Sequence, residues 1–180
     1  MDKAKRLERW YRGKREKNMK KYFTPRIQEK LKKTEDNPDE CFEVTEYIFG
    51  KVNTGKTINA CQKLLNTVLN DYLQGTPRTY CFIELSEMLH EIKSVYSTDH
   101  SSDWDVIEKY SKYDILIIDD FMSQKITPWV YQTLYTIINR RYEYLKITIY
   151  TSNIGIEELI KQLQDERIPR RIESQIYDNS

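Results

Sequence analysis

Cysteine and histidine are scarce in this chain of 180 residues, with three Cys and two His. Cys41, Cys61 and Cys81 show no C-x-x-C spacing and no second cluster, which argues against both a zinc site and a disulfide framework. They read as small, buried apolar residues in a reducing compartment. His90 has no second metal ligand at useful spacing and reads as a surface residue. No window approaches the roughly 18 apolar residues of a membrane span, and charges stand at the N-terminus where a secretory signal needs an apolar run. The expectation is a soluble cytoplasmic protein with no membrane segment. Glycine and proline are few, five of each, a bias without functional content on its own.

Charge is plentiful but unevenly distributed. The net charge of +1 conceals residues 1–33, which hold 14 Lys/Arg against 4 Asp/Glu, and a remainder with 15 against 24. A basic arm of +10 thus precedes an acidic body of −9. A chain of this length suits one domain that buries roughly 70% of its unfolded surface, plus an appendage. The boundaries read as a basic helical arm over 1–33, an acidic linker over 34–43 around TEDNPDE, and a core over 44–180.

The core is organised around Tyr47 to Thr57, YIFGKVNTGKT. An apolar, aromatic run that reads as a buried strand leads into G-x-x-x-x-G-K-T (Gly50, Gly55, Lys56 and Thr57) and then into a helical pattern, the order a P-loop requires. Such a loop holds phosphate oxygens on backbone N–H groups at a helix N-terminus, where unsatisfied donors and the helix dipole favour anions. Lys56 would reach the β- and γ-phosphates of ATP, and the Thr57 hydroxyl would join the Mg2+ shell. Asn53 stands where many such loops carry Gly; Asn is the non-glycine residue most tolerant of left-handed backbone angles. By chance the pattern would arise in a chain of this length on the order of one time in a hundred or less.

A second signal is DILIIDD, residues 114–120. Four consecutive aliphatic residues read as a buried strand whose carboxylates emerge at its C-terminal end, where α/β sheets place ligands. Asp119 would hold Mg2+ through its water shell, and Asp120 would orient the attacking water. A further strand, Ile147 to Thr151, ends in Ser152 and Asn153, whose amide would meet a γ-phosphate or a water.

Between these signals the periodicity predicts strands over 45–49 and 79–83 and helices over 56–73, 85–96, 104–112, 128–144 and from 157 to 164. The second strand, being uniformly apolar, suits coverage on both faces. Arg140 and Arg141 fall near a helix C-terminus, where the dipole favours cations. Residues 165–172, DERIPRRI, read as an arginine-rich turn and helix start, with Arg167, Arg170 and Arg171 too many charges to be core. In the arm, Gly13 and Pro25 are expected to break one or two helices. Three readings of the arm stand on the residues alone: a nucleic-acid contact through phosphates and stacking, a docking helix for a partner protein, or a solvated helix that only packs on the body.

Taken jointly, DILIIDDFMSQKITPWVYQTLYTIINRRYEYLKITIYTSNIGIEEL, its spacing to the P-loop and to R-I-x-x-R-I, and the ELSEMLHEIKSVY helix resemble the DnaC/DnaI-type helicase loaders and the related IstB-type transposition ATPases, AAA+ proteins of the initiator clade. The resemblance covers about residues 44 to 173. It implies an α/β AAA+ P-loop core, a parallel sheet flanked by helices. Gly50, Asn53, Thr54, Gly55, Lys56 and Thr57 become Walker A, Asp119 and Asp120 Walker B, and Asn153 sensor 1. Arg171 becomes the arginine finger that completes a neighbour's site, with Arg167 the second candidate. The implied protein is an ATPase that assembles as a homo-oligomer on single-stranded DNA, its N-terminal segment gripping a replicative helicase. For an IstB-type relative the partner would instead be a transposase. The family pattern continues past R-I-x-x-R-I into another strand and a second sensor. The resemblance therefore implies an abbreviated C-terminus, in which that strand is absent or residues 173 to 178 supply a short one, and slow hydrolysis.

Overall fold

A computed structural model describes residues 3–34, 40–76, 78–95, 103–122 and 126–178, the side chains of residues 3–5, 7 and 8 excepted. Residues 35–39 of the acidic linker and residues 123–125 thus fall outside the described residues. The contacts divide the chain into two compact units, one of residues 1–42 and 57–78, the other of residues 43–56 and 79–180.

The first unit is helical. It comprises α1 (Lys3–Tyr22), α2 (Pro25–Leu31) and α3 (Lys56–Gln74), whose first residue belongs to the other unit. The break before Pro25 is as expected: Thr24 is held extended (ψ 157°) ahead of the proline, which ends α1, and Pro25 opens α2, where its missing N–H is an orphan anyway. Gly13 does not break α1, contrary to expectation. A single interior glycine costs only about 1 kcal/mol, and tertiary anchoring downstream offsets it. That anchoring is visible: Met19, Phe23 and Leu31 are buried, and the Arg15 guanidinium donates to the Leu31 carbonyl (2.8 Å) and to Gln62 Oε1 on α3 (3.2 Å). On α3 the spacing that predicted the helix is also its buried stripe: Ala60, Leu64, Leu65, Val68 and Leu69. Tyr72, read as part of that stripe, is half exposed, and the Lys14 ammonium lies 4.6 Å from its ring centroid. Cys61 is buried, while Cys41 and Cys81 are partly so; none of the three forms a disulfide.

The second unit is α/β. Its strands β1 (Glu46–Phe49), β2 (Tyr80–Glu84), β3 (Ile115–Asp119) and β4 (Ile147–Ser152) form one parallel sheet in the order β1-β4-β3-β2. Helices α4 (Leu85–Val95), α5 (Asp103–Lys112), α6 (Pro128–Glu143), α7 (Ile156–Leu163) and α8 (Arg167–Tyr177) belong to the same unit. One sheet face, carrying Ile83, Leu116, Ile118 and Tyr150, shares a core with Leu85, Met88 and Ile92 of α4, Leu134 and Ile138 of α6, and Ile168 and Ile172 of α8.

Central strands are the buried ones. Ile115 to Ile118 of β3 and Ile149 and Tyr150 of β4 are fully enclosed. The two outer strands correct the reading made from apolar runs. In β2 only Ile83 is buried, and Phe49 at the end of β1 is 62% exposed. An uninterrupted apolar run cannot distinguish a central strand from an edge strand, because strand order is settled by non-local pairing. A second correction falls at the C-terminal segment. Of the two alternatives the resemblance left, the short strand is the one that fails: residues 173–177 continue α8 and Asp178 is its C-cap, since Ile168, Ile172 and Gln175 recur at helical spacing and are all buried.

Arg141 gives a third correction. It is fully buried, and instead of serving a helix dipole it donates to the Tyr110 carbonyl (2.9 Å), the Tyr113 carbonyl (2.7 Å), the Ile147 carbonyl (2.6 Å) and Thr148 Oγ1 (2.8 Å). Burial lowers its pKa to about 10, so the guanidinium remains charged and pins the end of α5 to the start of β4. Arg140, by contrast, stacks 4.1 Å over the Trp104 ring. His90 is exposed, as read. Among the described residues no helix is long and apolar enough to cross a membrane.

Candidate nucleotide site

The loop Gly50 to Gly55 leaves the end of β1 and runs into α3 at Lys56. Two of its residues need left-handed backbone: Asn53 at φ 65° and Gly55 at φ 87°. Asn tolerates that region because its short polar side chain can bond locally, so its place in a phosphate-loop pattern has a physical reason. Loop residues 51 to 55 are exposed, and the Thr54 hydroxyl donates to the Lys51 carbonyl at 2.8 Å. The Lys56 ammonium folds back over the loop. It donates to the Gly50 carbonyl (2.7 Å), the Lys51 carbonyl (2.9 Å) and Asn153 Oδ1 (3.1 Å). Lys56 and Asn153, far apart in sequence, therefore meet. Thr57 follows on the first turn of α3 and falls in the other compact unit.

The acid pair stands at the C-terminal end of β3. Asp119 is half-buried and accepts a hydrogen bond from the Thr151 hydroxyl at 2.5 Å. Asp120 is exposed, sits at φ 53°, and donates its backbone N–H to the same hydroxyl (3.1 Å). The next N–H, that of Phe121, donates to the Thr151 carbonyl (2.7 Å), and the Ser152 hydroxyl donates to the Phe121 carbonyl (3.0 Å). On the opposite side of β4 the Ser152 carbonyl accepts from the Gly50 N–H (3.2 Å). Thr151 and Ser152 belong to this candidate site and carry none of the motif positions. The available signal was a Thr-Ser-Asn run closing an otherwise apolar strand.

Packing holds this strand end in place. The Tyr47 hydroxyl donates to the Ile154 carbonyl (3.1 Å), and its ring meets Phe121 edge-on at 6.4 Å. Burial raises the pKa of the Tyr47 phenol, so it is a neutral donor at physiological pH.

The arginines lie on α8. With its apolar residues buried, α8 turns Arg167, Arg170 and Arg171 to the opposite side, where they line a cavity of about 240 Å³ with Tyr135 and Ser174. The three are not equally available. Arg167 forms a fork onto Asp165 (2.8 Å at its shortest), and that hydrogen bonding raises its own pKa while lowering that of the carboxylate. Arg170 pairs with Glu166. Arg171 lies 4.3 Å over the Tyr142 ring, a contact that leaves its fork-shaped donors in play. The described partners of Arg167 and Arg171 lie on α6 and the turn before α8, not on the loop or the acid pair.

A parallel sheet whose strand ends carry a P-loop, an acid pair and an amide, with an arginine-bearing helix beyond them, is a recognisable architecture. The fold is the AAA+ fold. Comparison with solved structures bears this out at the level of fold. The DnaC helicase loader superposes with a TM-score of 0.61 at 23% identity, over 83% of this chain and 82% of that one. Replication initiator DnaA bound to AMPPCP and single-stranded DNA matches with a TM-score of 0.58 at 17% identity, over 83% of this chain but 42% of that one. DnaI matches with a TM-score of 0.57 at 17% identity, over 84% and 75% of the two chains. The likeness drawn from the motifs thus extends to the fold. No protein-family profile matches the chain. No curated protein matches it either.

The AAA+ fold implies Mg2+ beside the nucleotide. Among the described residues no group of three or more His, Cys, Asp or Glu is placed to hold a metal. Mg2+ keeps its waters and is bound through one or two carboxylates together with nucleotide phosphates. The carboxylate of Asp119 is a hard oxygen ligand of the required type.

Proposed function

We propose that the chain is an ATP-dependent helicase loader acting in replication initiation. Gly50, Asn53, Thr54, Gly55 and Lys56 cradle the phosphates of ATP, and Thr57 and Asp119 serve its Mg2+. Asp120 orients the attacking water, Asn153 senses the γ-phosphate, and Arg171, with Arg167 as the second candidate, completes the site of a neighbouring protomer. The basic arm over 1–33 grips the replicative helicase, the core over 44–180 works as the ATPase, and the assembly tracks single-stranded DNA in the cytoplasm.

The observation that carries the reading is the meeting of Lys56 with Asn153 at 3.1 Å, beside a strand end that also holds Asp119 and Asp120. An ammonium and an amide converging on one spot are suited to a terminal phosphate, with the carboxylates at the neighbouring strand end where water and metal would be handled. The ammonium supplies charge to the β- and γ-oxygens; bound Mg2+ would supply the second positive charge. The loader assignment draws on the similarity to DnaC over most of both chains, and the nucleotide and DNA assignments on the AMPPCP and single-stranded DNA bound to DnaA.

The test is direct. Lys56→Ala is expected to lower affinity for a fluorescent ATP analogue at least 100-fold, because an uncompensated triphosphate loses its nearest cation. Asp120→Asn is expected to keep affinity within a few-fold while reducing turnover at least 100-fold and accumulating assemblies. Normal hydrolysis by Asp120→Asn would sink the Walker B assignment. Co-purification with a replicative helicase supports the loader; association with a transposase alone would move the protein to the IstB-type reading.

A further inference from the structure

The last two residues of β4 and the first of its following turn touch both halves of the site. Asn153 receives the Lys56 ammonium (3.1 Å), the Ser152 carbonyl receives the Gly50 N–H (3.2 Å), and Thr151 holds the acid pair. Of these contacts, those of Thr151 are the most constraining. A hydroxyl has one proton and two lone pairs. Here the proton goes to Asp119 Oδ1 (2.5 Å) and one lone pair takes the Asp120 N–H (3.1 Å), so a single buried group, 1% exposed, orients one carboxylate through its oxygen and the next through its backbone.

The backbone gains from that support. Asp120 occupies left-handed space at φ 53°, a region uncommon for non-glycine residues although Asp tolerates it better than most. Two successive N–H groups, those of Asp120 and Phe121, are bound to the hydroxyl and the carbonyl of the same Thr151 (3.1 and 2.7 Å). Valine has the volume of threonine without the hydroxyl. It would leave the Asp120 N–H and an Asp119 oxygen without this partner while preserving the strand.

We infer that Thr151 is a positioning residue for the acid pair, setting the Asp119 carboxylate toward the metal side of the site and fixing the left-handed turn that presents Asp120. The inference rests on the nucleotide-site reading above. Partners that orient a metal-directed carboxylate typically change metal affinity or activity 10- to 100-fold when removed.

Thr151→Val and Thr151→Ser separate this role from strand packing. With Val, kcat for ATP is expected to fall about 10- to 100-fold with KM changed less than about threefold. The Mg2+ concentration giving half-maximal binding of a fluorescent ATP analogue is expected to rise about tenfold or more. With Ser, both should return to within about threefold of the unaltered protein, since the hydroxyl is restored. Should Val unfold, Thr151→Cys keeps the volume with only a weak donor and should show the same split. Val and Cys proteins with unchanged kcat and Mg2+ dependence would overturn the inference, as would equal losses in Val and Ser. If the unaltered protein neither binds nor hydrolyses ATP and Lys56→Ala changes nothing, the nucleotide reading falls, and this inference with it.

Discussion

Asp114 shows how one side chain can carry a pH dependence unrelated to the nucleotide chemistry. It precedes β3 and accepts from the Thr79 N–H (2.8 Å), the Thr79 hydroxyl (2.7 Å) and the Lys146 ammonium (2.6 Å). Burial alone would raise its pKa; the hydrogen bonds from Lys146 and Thr79 outweigh that and hold it at about 2. A carboxylate depressed in the folded state stabilises above its unfolded pKa, and that stabilisation disappears as pH falls through the folded one. The window therefore runs from about pH 4 down to about pH 2. Linkage gives roughly 2 kcal/mol for such a shift, reduced to about 1 kcal/mol because the pair is partly solvated. Denaturant melts of Asp114→Asn should show the variant less stable than the original protein by that amount at pH 6 and nearly equal to it at pH 2. A constant difference across the range would assign the effect to geometry instead of charge.

At the scale of elements, Arg141 joins α5, α6 and β4 through four hydrogen bonds to three carbonyls and a hydroxyl. Truncation removes the donor shared by those acceptors and opens a hole in the interior, so Arg141→Ala should cost about 3–5 kcal/mol in a urea or thermal melt. Lysine keeps the charge but not the planar fork, and should recover less than half of the loss. The second element of consequence is α8. Its buried Ile168, Ile172 and Gln175 determine which side Arg167, Arg170 and Arg171 occupy, and the Tyr150 hydroxyl bonded to Gln175 Oε1 (2.8 Å) ties that orientation to β4. The family resemblance left room for a short strand over 173–178. The helix prevails because Gln175, a polar residue that breaks an apolar count, is buried and satisfied by Tyr150 and by the Ile138 carbonyl (3.3 Å).

For the whole molecule, the proposed function makes an ATP site shared between copies, and complementation tests it. Arg171→Ala supplies an intact P-loop without the finger, and Lys56→Ala supplies the finger without a working P-loop. Mixing the two inactive proteins should restore a measurable fraction of ATPase activity, since some interfaces then pair the intact halves. Intact oligomers without recovery would count against Arg171 acting in trans, and recovery with Arg167→Ala in its place would transfer the role. The charge asymmetry belongs to this scale too. Residues 1–33 carry +10 and the rest −9, so assembly and partner capture should weaken with salt, exposed charges being screened within about 10 Å at 0.1 M.

What the sequence by itself determined was local and periodic. The loop pattern with its tolerant Asn53 and the aliphatic run into Asp119 and Asp120 follow from residue type and spacing. Backbone preference and hydrophobic period act within a few residues, so those features were legible. Only the tertiary structure decided what depends on partners distant in the chain. It placed β2 and β1 at the sheet edges, buried Arg141 among carbonyls, let α1 run through Gly13, and brought Lys56 to Asn153. It also made Thr151, one β-branched residue in a strand rich in them, the holder of the acid pair. No short-range rule encodes these outcomes, because each is the resolution of where buried polar groups find partners once the strands have chosen their neighbours.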